Sequence, residues 1–213
     1  MYNPPHFEET RPEELRRIID QHPLGILVTR EPQGLDANHL PFEFDPEGGE
    51  HGRLLAHVAR ANPLWQEAND GDETLVIFRG VDSYISPNWY PSKHELHQQV
   101  PTWNYQVVHV HGKIKIRDDQ KFLLGVVGRL THKHEMRIQE PKPWTMSSSS
   151  KEFIDLMLTK IVGIEIEIVK MVGKSKLGQN KEDRDRLSAA EELRQHGREE
   201  ISDAMLNAKN GKG

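Results

Sequence analysis

Alternation of apolar and polar residues is the strongest signal along this chain. Over 103–116, Val108, Val110, Ile114 and Ile116 share one face, while His109, His111, Lys113, Lys115 and Arg117 share the other. That period of two is the mark of a half-buried strand. Ile164, Ile166 and Ile168 alternate with Glu165 and Glu167 in a second long strand, and the apolar phase shift at Val169 and Met171 predicts a bulge. Shorter apolar runs over 25–29, 54–58 and 74–78 read as buried strands, with Tyr84-Ile85-Ser86 as a separate one. Gln33-Gly34 turns the first run into a partner strand through Leu40, and Phe42 and Phe44 alternate with acids before the Pro46 and Gly48-Gly49 turn.

Helical spacing appears between these runs. Thr10-Arg11-Pro12-Glu13 reads as a capping box with proline in the first turn, followed by Leu15, Ile18 and Ile19. A short helix is predicted over 63–69. Asp118 or Asp119 caps another, with Phe122, Leu123, Val126, Val127 and Leu130 inward. Ser147 to Ser150 is a low-complexity turn leading into a helix with Phe153, Ile154, Met157 and Leu158. Residues 91–99 read as a polar loop, the chain from Glu182 as amphipathic helix, and 210–213 as a frayed tail. There is no internal repeat. Six or seven strands in neighbouring runs predict an α+β fold with a mostly antiparallel sheet or small barrel, peripheral helices and a helical C-terminal segment. The expected division is one domain over 1–180 with a helical appendage over 181–213 packed on it.

Composition narrows the class of protein. The chain has 213 residues, no cysteine and a net charge of −5. Its length suffices for a real core. No apolar run approaches the roughly 18 residues a membrane span needs, and the start, Met1-Tyr2-Asn3-Pro4-Pro5-His6, lacks the marks of a secretory signal. The expectation is a soluble, cytoplasmic protein without disulfides or a zinc–thiolate site. Charge is uneven: residues 1–100 carry −9, 101–180 carry +5, and the last 33 carry −1. Such asymmetry suits a dimer interface or an anionic ligand.

Two kinds of segment carry chemistry. In His57-Val58-Ala59-Arg60-Ala61-Asn62-Pro63-Leu64-Trp65 a strand ends and a helix begins, with Asn62 as cap and Pro63 at the first helical position. Main-chain N–H groups at such a start favour an anion, and Arg60 adds a forked cation, the combination a phosphate monoester needs. The plainer reading is a capped helix with a surface arginine. In Tyr84-Ile85-Ser86-Pro87-Asn88-Trp89-Tyr90 and Val100-Pro101-Thr102-Trp103-Asn104-Tyr105, aromatics sit beside amides and hydroxyls. A flat heteroaromatic ligand wants such a wall, and an aromatic core with satisfied polar handles is its rival.

Together with Asn38-His39-Leu40-Pro41 and Lys174-Ser175-Lys176-Leu177-Gly178-Gln179-Asn180, these segments resemble, in order, the motifs of the PaiB-type family of FMN-binding negative transcriptional regulators. The resemblance spans about residues 1–200. It implies a split β-barrel of the kind used by pyridoxamine phosphate oxidases and flavin reductases, a homodimer, and FMN in the cleft between subunits. It places the FMN phosphate at Arg60, Ala61 and Asn62. Asn38, His39 and Leu40 would line the cleft, and Trp103, Asn104, Tyr105, Tyr84 and Ser86 would wall the ring. Lys176, Gln179 and Asn180 would close over the ring edge, and His57 would donate near the flavin or its phosphate. Gly178 stands where the family pattern carries Ser, which removes one hydroxyl.

Twelve histidines raise the question of a metal. His94/His97, His109/His111 and His132/His134 are pairs without a clear third ligand, so no metal is expected; an axial haem ligand stays open by analogy with haem-binding split barrels. For DNA, the family name speaks more strongly than the residues. The Lys113, Lys115 and Arg117 face could meet phosphate but reads better as a solvated face, and no helix resembles a recognition helix. No side chain stands out as acid, base or nucleophile. A regulatory FMN-binding module and an FMN-dependent oxidoreductase both remain, since the flavin brings its own redox chemistry.

Overall fold

A computed structural model of the protein describes residues 1–208, so the tail expected to fray at 210–213 lies outside the described residues. The first half of the chain forms β1 (Glu8–Glu9), α1 (Pro12–Gln21), β2 (Leu24–Glu31), β3 (Gly34–Pro41), β4 (Glu43–Asp45), β5 (Arg53–Ala59), α2 (Leu64–Glu67) and β6 (Glu73–Ile85). The second half forms α3 (Pro91–Leu96), β7 (Thr102–Arg117), α4 (Gln120–Ile138), α5 (Lys151–Leu158), β8 (Ile161–Lys176), α6 (Asp183–Gln195) and α7 (Glu199–Asn207). The strands are hydrogen-bonded in the order β3-β2-β6-β7-β8-β5-β4, with β1 paired to β8 off that path. The registered pairings, such as Gly25 opposite Leu40 and Ala56 opposite Ile164, are antiparallel.

The chain divides into two compact units, one comprising Met1–Ile18, Arg79–Val108 and the chain from Val172 onward, the other Ile19–Phe78 and His109–Met171. β6, β7 and β8 therefore each contribute to both.

In the 19–78/109–171 unit the core is aliphatic and aromatic: Leu27, Phe42, Leu54, Leu55, Phe78, Ile114, Ile164 and Ile166 are at most 1% exposed. The period-two reading of β7 holds, with Val108, Val110 and Ile114 buried and His111, Lys113 and Lys115 exposed. β8 alternates likewise until Val169 and Lys170, two successive exposed residues at the position of the phase shift. Asp119 caps α4 by accepting from the Phe122 N–H at 2.8 Å, and Leu123, Val126 and Leu130 are the residues it buries. α5 forms where a helix was expected. Ser150 caps it, but only Leu158 is buried, while Phe153, Leu156 and Met157 are 51%, 54% and 41% exposed. An eight-residue helix touching its unit along one narrow line leaves the rest of its apolar face outward.

The other unit has its own core of Ile85, Tyr90, Leu177, Ala189, Ala190, Leu193, Ile201 and Met205, built where α6 and α7 pack on the end of β6. Two expectations change here. The break foreseen between 78 and 84 is absent, because Gly80 marks a close approach and not a turn: a Cβ there would lie 3.0 Å from Gln106 Cβ. The polar loop over 91–99 contains α3, which ends on His97 in the left-handed region at φ 56°. A buried polar network holds α3 to α6. Asp185, 1% exposed, accepts from the Ser92 N–H (3.0 Å), the Ser92 hydroxyl (2.6 Å) and Gln99 Nε2 (3.3 Å). Burial and the charge of Asp185 push the Tyr90 phenol up to about 12.

Candidate functional site

The candidate residues fall into two groups, one in each unit. In the 19–78/109–171 unit, β3 carries Asn38, His39 and Leu40, β5 carries His57, and the turn after it carries Arg60, Ala61 and Asn62. Asn62 Nδ2 donates to Asn38 Oδ1 at 2.7 Å, so two of the motifs meet amide to amide. Asn62 Oδ1 accepts from the Leu64 N–H at 2.9 Å. Both amides are thereby fixed in orientation. His39 is exposed and Leu40 is 8% exposed.

The phosphate-shaped turn is more internally committed than its sequence implies. The helix after it is one turn long, Leu64–Glu67, with Pro63 at the cap position, so the dipole expected of a helix over 63–69 is small. The Arg60 N–H donates to the Lys160 carbonyl and the Asn62 N–H to the Ala59 carbonyl. The Arg60 guanidinium makes a forked pair with Asp118 (2.9 and 2.5 Å) and also donates to the Thr159 and Ile161 carbonyls. It lies over the Trp65 ring at 5.5 Å. Hydrogen bonding to Arg60 lowers the Asp118 carboxyl below its ordinary range. Trp65 Nε1 closes the turn onto the Arg60 carbonyl at 2.9 Å.

His57 Nδ1 is buried without a hydrogen-bond partner, and burial holds the imidazole below its usual 6.5. Below that usual value the unfolded chain binds the proton that the folded state resists. The stability contributed by neutral His57 is therefore complete above about pH 6.5 and is lost as pH falls through the depressed folded value. His57→Asn should flatten part of the drop in melting temperature between about pH 7 and 5. An unchanged slope would contradict the assignment.

In the second group, Tyr84 and Trp103 form an edge-to-face pair at 6.2 Å and are 46% and 55% exposed, which leaves aromatic faces open. Ser86 caps the short turn after β6 by accepting from the Asn88 N–H at 3.2 Å. Asn104 is 1% exposed: its Nδ2 donates to Met205 Sδ at 3.4 Å, and its Oδ1 is buried without a partner. Gln179 is tied into its own turn, accepting from the Leu177 N–H (2.8 Å) and donating to the Ser175 carbonyl (2.6 Å), while Asn180 is exposed. Gly178 has φ +86°, a left-handed conformation that suits glycine and strains the Ser of the family pattern.

Lys176 donates to Thr102 Oγ1 at 2.6 Å, and burial, then its neighbours Lys174 and Lys181, lower its ammonium pKa despite the opposing effect of Tyr105. Thr102 and Lys174 stand in the quoted motifs but, like Lys181, were given no role by the sequence. The i, i+2 spacing of Lys174 and Lys176 in a strand was the available signal.

Each group, taken by itself, offers features a flavin nucleotide could use. His57 Nδ1 and Asn104 Oδ1 are orphaned polar atoms inside motif segments, and Tyr84 and Trp103 present open aromatic faces. Among the described residues, no three His, Asp or Glu side chains are grouped to hold a metal ion, and no helix is long and apolar enough to cross a membrane.

Comparison with known proteins agrees with this chemistry. The chain is 31% identical over 193 residues to the Bacillus subtilis protein named protease synthase and sporulation protein PAI 2, covering 91% of this chain and 89% of the relative. Its fold is similar to the flavocytochrome Anf3 from Azotobacter vinelandii (TM-score 0.55, 12% identity, 81% of this chain and 70% of that one). It is similar also to an FAD and heme binding protein from Mycobacterium smegmatis (TM-score 0.53, 16% identity, 80% and 74%). The fold is thus the α+β split barrel with a mostly antiparallel sheet. Residues 1–170 match the family described as "Putative FMN-binding domain", and with that match and the Bacillus relative the chain belongs to the PaiB-type family of FMN-binding-domain proteins, with FMN as its cofactor.

Proposed function

We propose that the protein is an FMN-loaded homodimer that acts as a negative transcriptional regulator. The observation carrying the flavin contacts is the pair of orphaned buried atoms, His57 Nδ1 and Asn104 Oδ1, each inside a family motif. When bound, FMN supplies the redox chemistry. The chain's own residues bind and orient. The Asn38–Asn62 amide pair presents a fixed polar edge, and Tyr84 and Trp103 offer stacking faces. Arg60 keeps a donor beyond its four hydrogen bonds for the phosphate.

A second copy of the chain is the proposed cover for the outward apolar side chains of α5, Phe153, Leu156 and Met157. The regulatory part of the proposal follows the resemblance to the PaiB-type family, whose Bacillus relative is named for protease synthase and sporulation. Any DNA contact by β7 would fall on Lys113 and Lys115, because Arg117 is ion-paired with Glu165 and Asp119. An FMN-dependent oxidoreductase is the second reading. It is favoured by the half-exposed Tyr84–Trp103 pair, against which a second planar molecule could stack.

Purified protein should be yellow or take up FMN, and should run as a dimer in light scattering. Arg60→Ala should weaken FMN about tenfold more than riboflavin, the worth of one charge-assisted hydrogen bond. Equal loss of both flavins would remove Arg60 from the phosphate. A colourless monomer indifferent to FMN would end the reading. Rapid oxidation of reduced nicotinamide cofactors would shift it to the oxidoreductase.

A further inference from the structure

We infer that Lys176, Thr102, Lys174 and Lys181 form an anion-binding corner that recognises a phosphate group, carried either by FMN or by a separate phosphorylated ligand. The inference rests on the flavin reading only for the first of those sources.

The chain path brings the cations together. Lys174 and Lys176 are two residues apart in β8 and so share a side of the strand, and Lys181 follows the turn at Gly178. Each ammonium is held by a neutral acceptor. Lys176 donates to the Thr102 hydroxyl at 2.6 Å, Lys174 to the Tyr2 carbonyl at 3.1 Å, and Lys181 to Gln99 Oε1 at 2.6 Å. Aromatic faces hold two of them further: Lys174 lies 5.5 Å from the Tyr105 ring and Lys181 lies 5.1 Å from the Tyr90 ring.

None of the three forms an ion pair among the described residues, although acids are plentiful in the same unit. Glu8 is the cross-strand partner of Lys174 in register and makes no ion pair with it among the described residues, and several of the other acids are otherwise engaged. Glu9 is taken by Arg11, Glu14 by Arg17, Glu95 and Glu182 by Arg184, and Asp183 by Arg186. Asp185 accepts from Ser92 and Gln99.

Exposed lysines at such spacing would be an ordinary solvated face. Here Lys174 is 7% exposed and Lys176 is half-buried, so water screens their repulsion poorly. Proteins rarely bury lysines without a counter-charge, and a dianion supplies one. The separate finding that Lys174 and Lys181 depress the Lys176 pKa agrees, since no carboxylate opposes them. The Thr102 oxygen accepts from Lys176 and leaves its own proton free to donate to a phosphate oxygen, while each ammonium keeps further N–H donors.

The test uses the full chain. FMN and riboflavin are titrated by fluorescence, and inorganic phosphate by calorimetry, into wild type, Lys176→Gln, Thr102→Val and the exposed-surface control Lys170→Gln. Lys176→Gln should weaken binding of the phosphate-bearing ligand about tenfold more than that of riboflavin. If the loss is in the preference for FMN over riboflavin, the corner holds the nucleotide's own phosphate. If both flavins bind as in wild type and phosphate binding to the FMN-loaded protein falls, it holds a separate ligand. Should the wild type take up no flavin, the flavin reading fails, and phosphate titration of the flavin-free protein still decides the corner. The inference is overturned if Lys176→Gln and Thr102→Val, both folded by circular dichroism, leave the flavin preference and phosphate binding within twofold of wild type.

Discussion

Asp185→Ala is expected to lower stability by about 3 kcal/mol or more, the largest effect of any single polar substitution in its unit. The carboxylate is 1% exposed and accepts three hydrogen bonds that tie α3 to α6. Alanine leaves the Ser92 N–H and hydroxyl buried without acceptors, each at about 1–3 kcal/mol. It also removes the longer of the two hydrogen bonds of Gln99 Nε2, which keeps Ser92 Oγ at 2.7 Å while Gln99 Oε1 holds Lys181 at 2.6 Å. Asp185→Asn keeps one acceptor oxygen and should recover more than half of the loss. Denaturant midpoints for the two variants decide the matter, and a loss under about 1 kcal/mol for alanine would show that water satisfies Ser92. The Tyr90 phenol, held up partly by the charge of Asp185, should titrate lower in both variants.

Gly112→Ala should cost about 3 kcal/mol, at the upper end of overpacking penalties. A Cβ at this position in β7 would lie 2.5 Å from both the Glu167 carbonyl oxygen and Ile166 Cγ2 of β8. One of these is backbone, so relief requires a strand to move and not a side chain to swing. Gly125→Ala in α4 is the contrast: its nearest atom would be Arg129 Nη1 at 3.6 Å, and removing a flexible residue from a helix interior should stabilise by about 0.5–1 kcal/mol. Thermal melts of the pair should therefore move in opposite directions. Parallel shifts would mean that β7 and β8 yield more readily than packed strands do.

Much of this architecture was legible along the chain because side-chain period is a local property. The alternation of Val108 with His109 and of Ile164 with Glu165 placed the long strands and their buried faces, and Asp118 or Asp119 marked a helix start whose cap hydrogen bond falls on Asp119. The PaiB-type motifs likewise lie in contiguous runs, so their order could be read directly. What the local pattern misjudged depended on distant partners. The runs 74–78 and 84–86 read apart along the chain but form one strand, β6, in which a Cβ at Gly80 would lie 3.0 Å from Gln106 Cβ. Phe153 and Met157 have helical spacing, but whether that face is covered depends on what packs there.

The site follows the same division. Residue types and spacing named Arg60 and Asn62, and the family resemblance named His57 and Lys176, without knowing their neighbours. The fold alone paired Arg60 with Asp118, 58 residues away, locked Asn62 to Asn38 across 24, and seated Lys176 on Thr102 across 74. Hydrogen bonds and charge interactions act over a few ångströms in space, whatever the separation in sequence. Chemistry that depends on which groups are already satisfied, and which are left wanting a partner, therefore had to wait for the chain to fold.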